Sequence, residues 1–304
     1  MTAAMPGLVT VAATALAASP YGFQSPLSGR RVAFTTPFPY ADRLARLLEL
    51  HTAVPLHLPT VVVEPTPLTL AALRPYLTAG ALDPFAALAF TSRNGITAFS
   101  LALSNAVGPR PLSDSGEAFT IAALGKDAEL LHEGLLSRFC RNLNRIRVLV
   151  PEIASPAGLV ESLGAGAGRR VLCPVPFVVD LEEPPVVPDF LRDLEARGWN
   201  PQRVCAYETR WKGARCMEGL VALDAALDAI LFTSSAEVEG LMKGLEALGW
   251  DWGKVRRRWP EMVVCAHGPV TAKGVERFGV SVDVVSSKFS SFDGVVEALA
   301  SKLR

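Results

Sequence analysis

The chain has 304 residues, which is long enough for two domains of ordinary size. Half of its residues are hydrophobic and a fifth are charged, a composition typical of a globular protein with a large apolar core. The formal net charge is zero, so the composition favours neither nucleic acid nor an anionic membrane surface as a partner. A polyanionic substrate would have to be held by local donors.

The first 29 residues differ from the rest of the chain. Residues 1–28 contain no charged side chain and are rich in Ala, Thr, Ser and Pro. Their apolar part, residues 7–18, is too short and too rich in alanine to span a bilayer, and the basic start of a secretory signal is missing. The segment is interpreted either as a remnant of a plastid transit peptide or as a disordered tail.

Cysteines and histidines are scattered along the sequence. The number of cysteines is odd and no pair has CxxC spacing, so the pattern predicts neither a disulfide framework nor a zinc site. We expect reduced thiols in an intracellular compartment and no metal. The residues concerned are Cys140, Cys173, Cys205, Cys216, Cys265, His51, His57, His132 and His267.

Short apolar runs alternate with helical patterns from residue 30 onward. Leu44, Leu47 and Leu48 have helical spacing, whereas Pro59 indicates an edge or linker strand. In the first half the sequence predicts strands at 30–36, 57–63, 88–90, 119–124 and 146–150, and helices at 40–50, 68–77, 96–103, 127–139 and 157–163.

The pattern then starts again. Three segments of the second half, 169–173, 231–234 and 262–268, repeat segments of the first half at offsets of 139, 142 and 143 residues. Nearly constant offsets of this size indicate duplicated domains, because a solenoid would repeat every 20–50 residues or so. The alternation predicts an α/β fold whose parallel sheets carry helices on both faces.

Two nearly identical turns stand out in this pattern. Thr91 and Ser92 follow one buried apolar run, and Thr233 and Ser234 follow another. Ligands of open α/β sheets bind outside the carboxyl ends of the strands, beside free backbone N–H groups. Ser234 with Glu237 three residues later also fits a capping box. We therefore expect the two turns to face one shared cleft.

The motifs of common cofactors are missing. No GxGxxG follows a strand, and neither a GxxxxGK[ST] phosphate loop nor a GxSxG elbow occurs. The glycine-rich residues 164–168 precede a strand and are interpreted as a flexible linker. No cofactor is expected.

The remaining candidates are uncharged or cationic donors at strand ends. Each hydroxyl could instead be no more than a helix cap. The turn that begins at Gly268 could hold a carboxylate with its N–H groups. The candidate binding residues are Thr35, Thr91, Ser92, Arg93, Lys126, Thr233, Ser234, Ser235, His267, Gly268 and Thr271.

Tyr207 lies in an extended run at 203–208 that is comparable to the run at 57–63. A tyrosine in a strand commonly serves packing alone. Because the ordinary pKa of tyrosine is near 10, the phenol stays protonated at neutral pH and could act as a general acid toward a departing hydroxyl.

Several short motifs together resemble those of the uroporphyrinogen-III synthase family. The resemblance covers about residues 30–304, and the order and spacing of the motifs are more specific than any one of them. The motifs are Phe90-Thr91-Ser92, Tyr207-Glu208-Thr209, Phe232-Thr233-Ser234-Ser235, Gly268-Pro269-Val270-Thr271-Ala272, Val282-Asp283-Val284-Val285 and Phe292-Asp293-Gly294-Val295-Val296.

The resemblance implies two flavodoxin-like domains, each a doubly wound parallel sheet, joined by a two-stranded linker. It also implies that the first strand and helix belong with the C-terminal half. We therefore expect one discontinuous domain at 30–62 plus 208–304 and another at 63–207, with residues 1–29 outside both. The linking strands would be 57–63 and 203–208, and the protein would be a monomer.

The resemblance further implies a reaction that needs no cofactor. Hydroxymethylbilane, a linear tetrapyrrole polycarboxylate, would lose its terminal hydroxyl, and the resulting cation would close with inversion of the last pyrrole ring. Tyr207 would assist departure of the hydroxyl, and Thr271 with the Ser/Thr turns would bind carboxylates. The product would serve heme or chlorophyll biosynthesis, in the chloroplast stroma of a photosynthetic eukaryote and otherwise in the cytoplasm.

The sequence departs from the family pattern in places. No arginine follows Thr35 and Thr36, and acidic residues follow the loop predicted at 174–177. Fewer donors leave a second interpretation open, a non-catalytic tetrapyrrole-binding or regulatory member of the family. Its cleft would be lined by Phe177, Glu182 and Glu183. A small-ligand binder of the periplasmic type is disfavoured because the sequence carries no recognisable export signal.

Overall fold

The computed structural model describes residues 25–106, 108–288 and 291–304. The strands within these ranges are β1 (Arg31–Phe34), β2 (Val54–His57), β3 (Val61–Glu64), β4 (Ala87–Phe90), β5 (Phe119–Ala123), β6 (Ile146–Leu149), β7 (Arg170–Val179), β8 (Asn200–Trp211), β9 (Ala229–Phe232), β10 (Val263–Ala266) and β11 (Val284–Val285). They form two sheets.

The first sheet has the strand order β11-β10-β9-β1-β2, and all of its strand pairs are parallel. The second sheet has the order β3-β8-β7-β4-β5-β6, in which only the edge strand β3 is antiparallel to its neighbour. The segment from β1 to β2 thus belongs to a sheet that is otherwise built from the C-terminal part of the chain.

Helices connect the strands. They are α1 (Phe38–Leu50), α2 (Pro67–Leu73), α3 (Arg93–Asn105), α4 (Glu133–Phe139), α5 (Pro156–Leu163), α6 (Val186–Ala196), α7 (Glu218–Val221), α8 (Ser235–Ala247), α9 (Trp252–Arg258), α10 (Pro269–Arg277) and α11 (Phe292–Lys302). Short 3₁₀ helices occur at Arg74–Tyr76, Gly125–Leu130, Leu143–Arg145 and Ala214–Met217.

Both faces of each sheet are buried, as the continuous apolar strands require. In the first sheet, Phe34 packs on one face with α1 and α11, whereas Ala33 packs on the other face with α8 and α10. In the second sheet, Leu88 faces α3 and α4, and Ala89 faces α5 and α6. Successive residues thus enter opposite cores, and the predicted doubly wound α/β class is confirmed.

The chain crosses between the sheets beside β3 and β8. The extended run predicted at 57–63 is two strands in different sheets, because β2 ends at His57 and β3 begins at Val61. Pro59 lies between them and has no N–H to donate to a ladder. β3 then pairs with the end of β8, with Val61 opposite Trp211. The expected domain boundaries remain a prediction, since strand pairing alone does not define independent folding units.

Two predicted elements differ from the structure. The loop expected at 174–177 lies inside β7, because β8 pairs with β7 along its whole length, and a register shift between Val175 and Pro176 accommodates the proline. The helix expected at 127–139 is divided into the 3₁₀ helix at Gly125–Leu130 and α4, because His132 between them is extended.

The packed part of the chain begins before residue 30. Leu27 is fully buried in the core beside α1, and the N–H of Gly29 donates to the carbonyl of Thr52 at 2.9 Å. The prediction for residues 1–24 lies outside the described residues.

The remaining expectations concern membrane spans, metal sites and the state of the cysteines. No helix in the described part of the chain is both long and apolar enough to cross a membrane. Nor do the described His, Cys, Asp and Glu side chains form a cluster that could hold a metal ion. All five cysteines are free thiols.

Candidate functional site

The carboxyl ends of the two sheets approach one another around Tyr40. This residue lies in the first turns of α1, and its hydroxyl interacts with the Asn94 side chain at the start of α3. Burial raises the pKa of Tyr40 well above its usual value, and the negative charge of Asp127 adds to the effect. The positive charge of Arg43, which is also in α1, works to lower the pKa of Asp127. We call the region between these strand ends the cleft.

Tyr207 lies on the second-sheet side of the cleft. Its hydroxyl is 2.8 Å from the Ser92 hydroxyl, and its side chain is buried in the core with Leu88 and Phe99. Burial raises the pKa of Tyr207 to about 12, although the bond to Ser92 works in the opposite direction. Asp127 raises this pKa further. The phenol is therefore protonated at neutral pH and fixed in direction by Ser92.

Charged groups flank Tyr207. Arg93 lies 3.9 Å from Asp127, and both side chains are partly exposed. Burial raises the pKa of Asp127, and the Arg93 charge opposes that shift. Lys126 follows the end of β5, and its positive charge helps to lower the pKa of Asp293 in α11. This edge of the second sheet thus carries two cations, Arg93 and Lys126.

The first-sheet side of the cleft is organised around Glu237, which is completely buried. Its Oε2 accepts hydrogen bonds from the Thr35 hydroxyl at 2.7 Å and from the Thr233 N–H at 2.9 Å. Its Oε1 accepts from the Thr233 hydroxyl and from the Ser234 hydroxyl, the latter at 3.2 Å. Burial raises the pKa of Glu237, and the four donors counteract that rise.

The capping-box prediction for this turn is wrong. The Ser234 hydroxyl accepts no hydrogen bond from a backbone N–H in the first turn of α8 and donates to the Glu237 carboxylate, which accepts from the N–H of Thr233 instead of Ser234. The reason is long-range: the Thr35 hydroxyl of the neighbouring strand end also binds the carboxylate and draws it into the sheet edge.

Four helices begin at the carboxyl edge of the first sheet, namely α1, α8, α10 and α11. None has a side-chain hydrogen bond at its N-cap within the described residues. In the second sheet the hydroxyls of Ser92 and Ser155 cap α3 and α5, whereas α4 and α6 have no side-chain cap. The positive ends of the helix dipoles suit the first-sheet edge to anionic groups, and so do its backbone N–H groups, although Pro39 of α1 and Pro269 of α10 have none.

The other predicted residues lie at the same two edges. Thr271 is buried, and its hydroxyl donates to the Thr233 carbonyl at 3.1 Å. Gly268 is the extended N-cap of α10, and Ser235 is the half-buried first residue of α8. Thr91 is partly exposed at the end of β4. The structure therefore gathers Thr35, Thr233, Ser234 and Thr271 into one network and places Ser92, Arg93, Lys126 and Tyr207 on the opposite side.

His267 follows β10 in the same region. Its ring lies 5.2 Å from the Phe292 ring in an edge-to-face arrangement, and its main-chain N–H donates to the Phe232 carbonyl at 2.9 Å. The His267 side chain therefore packs against α11.

Sequence reasoning missed Tyr40 and Asp127, and it assigned Glu237 only to a cap. One signal could have revealed Glu237: it sits directly before Val238 in the buried stripe of α8, where an acidic residue is unexpected. No local signal marks Tyr40 or Asp127, because their proximity depends on how the two halves meet.

The acidic residues considered for the rival interpretation are paired with arginines. Glu183 binds Arg203 within its own half, and Glu182 lies 3.1 Å from Arg277 of α10. The N–H of Glu182 also donates to Glu239 at 2.8 Å. These contacts hold the segment after β7 against α8 and α10.

A surface cavity of about 470 Å³ lies at the opposite end of the second sheet, where β4, β5 and β7 begin. Its three arginines already have partners. Arg145 binds Asp83 at 2.8 Å, Arg169 donates to two backbone carbonyls, and Arg170 lies over the Phe85 ring. The cavity is therefore not the candidate site.

Two doubly wound α/β sheets whose carboxyl ends approach one another place this chain in the class of two-sheet α/β proteins. Residues 42–296 match the family model of uroporphyrinogen-III synthase HemD. The chain therefore belongs to the uroporphyrinogen-III synthase family.

Solved structures with similarity to this chain include members of that family. A mutant uroporphyrinogen-III synthase from the extremely thermophilic bacterium Thermus thermophilus is 17% identical, with 90% of this chain and 100% of that chain covered and a TM-score of 0.49. Uroporphyrinogen-III synthetase from Helicobacter pylori 26695 gives the same four values. A search of curated proteins finds no match.

Proposed function

We propose that the protein is a uroporphyrinogen-III synthase. It would convert hydroxymethylbilane into uroporphyrinogen III, with loss of water and inversion of the last pyrrole ring. Membership of the family supports this reaction. The observation that carries the proposal is the protonated Tyr207, oriented by Ser92 and set opposite an edge with four uncapped helix N-termini.

Tyr207 would act on the departing hydroxyl of the substrate. A phenol with a pKa of about 12 keeps its proton at neutral pH and can donate a hydrogen bond or the proton itself as water leaves. The pyrrole that loses the hydroxyl becomes a cation, and the nearby Asp127 carries a charge of the right sign to stabilise it. Ring closure then forms the carbon–carbon bond and releases one proton from the attacked pyrrole, which restores the Tyr207 phenol where it has given up its proton. Beyond this, the protein has to fold the substrate chain correctly.

The substrate carboxylates would be bound by both edges of the cleft. Backbone N–H groups at the uncapped starts of α1, α8, α10 and α11 suit carboxylates, and so do Arg93 and Lys126. We propose Thr91, Ser235 and Gly268 as further contacts, since they lie at the same strand ends.

A second candidate function is non-catalytic tetrapyrrole binding. One observation favours it: the hydroxyls of Thr35, Thr233 and Ser234 are already bound to Glu237, which leaves the cleft with fewer donors for a polyanion. The arginine partners of Glu182 and Glu183 favour the enzyme, because these acids do not remain as unpaired charges.

A cyclisation assay separates the two candidates. Hydroxymethylbilane is supplied, and isomer III is resolved from the isomer I that forms spontaneously. The enzyme should produce mainly isomer III. Formation of isomer I alone at the uncatalysed rate would exclude the synthase and leave the binding protein.

Tyr207→Phe should reduce the rate of isomer III formation by about 100-fold or more, the usual contribution of general acid catalysis. Tyr76→Phe is a matched control, because Tyr76 packs against Phe85 in the same half. An undiminished rate in Tyr207→Phe would remove the role given to Tyr207 and leave the reaction itself in place.

A further inference from the structure

The turn formed by Thr233 and Ser234 directs its hydroxyl protons into the protein. Both hydroxyls donate to Oε1 of the fully buried Glu237. A serine or threonine hydroxyl has one proton and two lone pairs, and an ionised carboxylate can only accept. With the Glu237 carboxyl ionised, the partly exposed oxygen of Ser234 therefore presents lone pairs, and not a proton, to the cleft. The partly exposed oxygen of Thr233 does the same beside the Thr36 hydroxyl, which lies 3.4 Å from it.

Several neighbouring groups fix the direction of these two hydroxyl hydrogen bonds. The main-chain N–H of Thr233 also binds Glu237 and cannot be reversed, and the Thr35 hydroxyl occupies Oε2. A proton on the carboxyl could reverse only one of the three hydroxyl bonds, because a carboxyl group has a single donor. The Thr271 hydroxyl likewise donates its hydrogen bond to the Thr233 carbonyl.

An acceptor surface repels carboxylates and attracts N–H groups. A linear tetrapyrrole offers both kinds of group, carboxylates on its side chains and N–H donors on its pyrrole rings. We propose that Thr233 and Ser234 bind pyrrole N–H groups of the substrate, while its carboxylates are bound by helix N-termini and by cations. This inference rests on the proposed function, and it identifies which part of the substrate this turn recognises.

Glu237 acts here as a positioning residue. It is completely buried, so it does not touch the substrate, and it sets the polarity of the two hydroxyls that do. The first-sheet edge then discriminates by orientation: a pyrrole ring must turn its nitrogen toward Thr233 and Ser234, which directs its carboxylate side chains toward the uncapped helices.

The test uses two stable probes that differ only at nitrogen. One is a dipyrromethane tetracarboxylate with free N–H groups, and the other is its N,N′-dimethyl derivative. Dissociation constants are measured by calorimetry on the full chain. The wild type should prefer the N–H probe, and Ser234→Ala should reduce that preference about three- to tenfold, the usual effect of one hydrogen bond.

Two further variants sharpen the result. Glu237→Gln introduces an amide donor that turns at least one hydroxyl proton outward, so the preference for N–H should fall while binding of the dimethyl probe is retained or improved. Thr60→Val is the matched control, because the buried Thr60 hydroxyl donates to the main-chain carbonyl of Glu237 at 2.7 Å and does not reach the cleft. It should leave the preference unchanged.

The outcomes are distinct. If Ser234→Ala weakens both probes equally, the hydroxyls donate to carboxylates, and the inference is overturned while the proposed function stands. If neither probe binds the wild type and the cyclisation assay gives isomer I alone, the proposed function fails as well. Circular dichroism checks that each variant is folded. If Glu237→Gln does not fold, the result for Ser234→Ala alone decides whether the two hydroxyls accept from pyrrole N–H groups.

Discussion

The two hydroxyl turns have the same sequence, Phe-Thr-Ser, at the ends of β4 and β9, yet their serines make different contacts. Ser92 accepts from the N–H of Gly95, caps α3 and touches Tyr207. Ser234 caps nothing and donates to Glu237. The residue three positions after each serine makes the difference. With glycine at that position the serine hydroxyl caps the helix, whereas with glutamate the serine hydroxyl donates a hydrogen bond to the carboxylate and the helix has no side-chain cap.

This difference assigns separate tasks to the two edges. The second-sheet edge holds the titratable phenol and its charged neighbours, and the first-sheet edge holds helix N-termini without side-chain caps beside an acceptor turn. The two similar turns thus differ through the residue three positions after each serine, Gly95 in one and Glu237 in the other. Three perturbations, given from the largest expected effect to the smallest, test that comparison.

Removing the Glu237 carboxylate should be the most damaging change. Glu237→Ala leaves the Thr233 N–H and three hydroxyls without their acceptor, and we expect the free energy of unfolding to fall by about 2–5 kcal/mol. Urea unfolding measures this free energy for the wild type and the variant. The exposed Glu246 on the same helix provides the control, since Glu246→Ala should change stability by less than about 0.5 kcal/mol. Equal losses for the two variants would contradict the buried network.

Alkaline pH should reveal the buried phenol of the second-sheet edge. The pKa of Tyr207 is raised from 10.0 in the unfolded chain to about 12 in the folded protein. The unfolded chain therefore loses the proton first, so stability is complete below pH 10 and is lost as the pH rises toward 12. The loss should reach about 2–3 kcal/mol.

The measurement is urea unfolding at about pH 9 and near pH 12, compared between the wild type and Tyr207→Phe. The variant should lose less stability on the alkaline side, because it has no phenol to ionise at this position. Tyr76→Phe should behave as the wild type does. The assignment of the buried proton to Tyr207 would be untenable if Tyr207→Phe and the wild type lost stability in parallel.

Helix caps should produce the smallest effect. Ser155 caps α5 through the N–H of Gly158, whereas Ser291 begins α11 without a cap. Ser155→Ala should lower the free energy of unfolding by about 1 kcal/mol, and Ser291→Ala by less than about half of that. Thermal unfolding of both variants provides the check, and the expected order would be refuted by a larger loss for Ser291→Ala.

Much of the fold could be predicted from the sequence. The apolar runs and the three repeat offsets indicate an α/β duplication, and the hydroxyl turns mark the carboxyl ends of β4 and β9 because these residues follow continuous apolar strands. The long pairing of β7 with β8 was missed, because two prolines normally end a strand and only the complete partner strand shows that they are tolerated.

The site was harder to predict than the fold. Tyr207 and Ser92 were both identified as candidates, but their contact joins residues that are 115 positions apart. The role of Glu237 depends on Thr35, which is 202 positions away, whereas a capping box is a local pattern. Hydrogen-bond direction at this edge is thus a property of the assembled sheet.

The position of β1 between β9 and β2 also bears on how the protein is made. β1 is synthesised before every strand of the second sheet, whereas its partner β9 is synthesised after all of them. The second sheet can therefore fold while the apolar faces of β1 and α1 are still uncovered. The first-sheet side of the cleft forms only when β9 and the helices that follow it pack against β1.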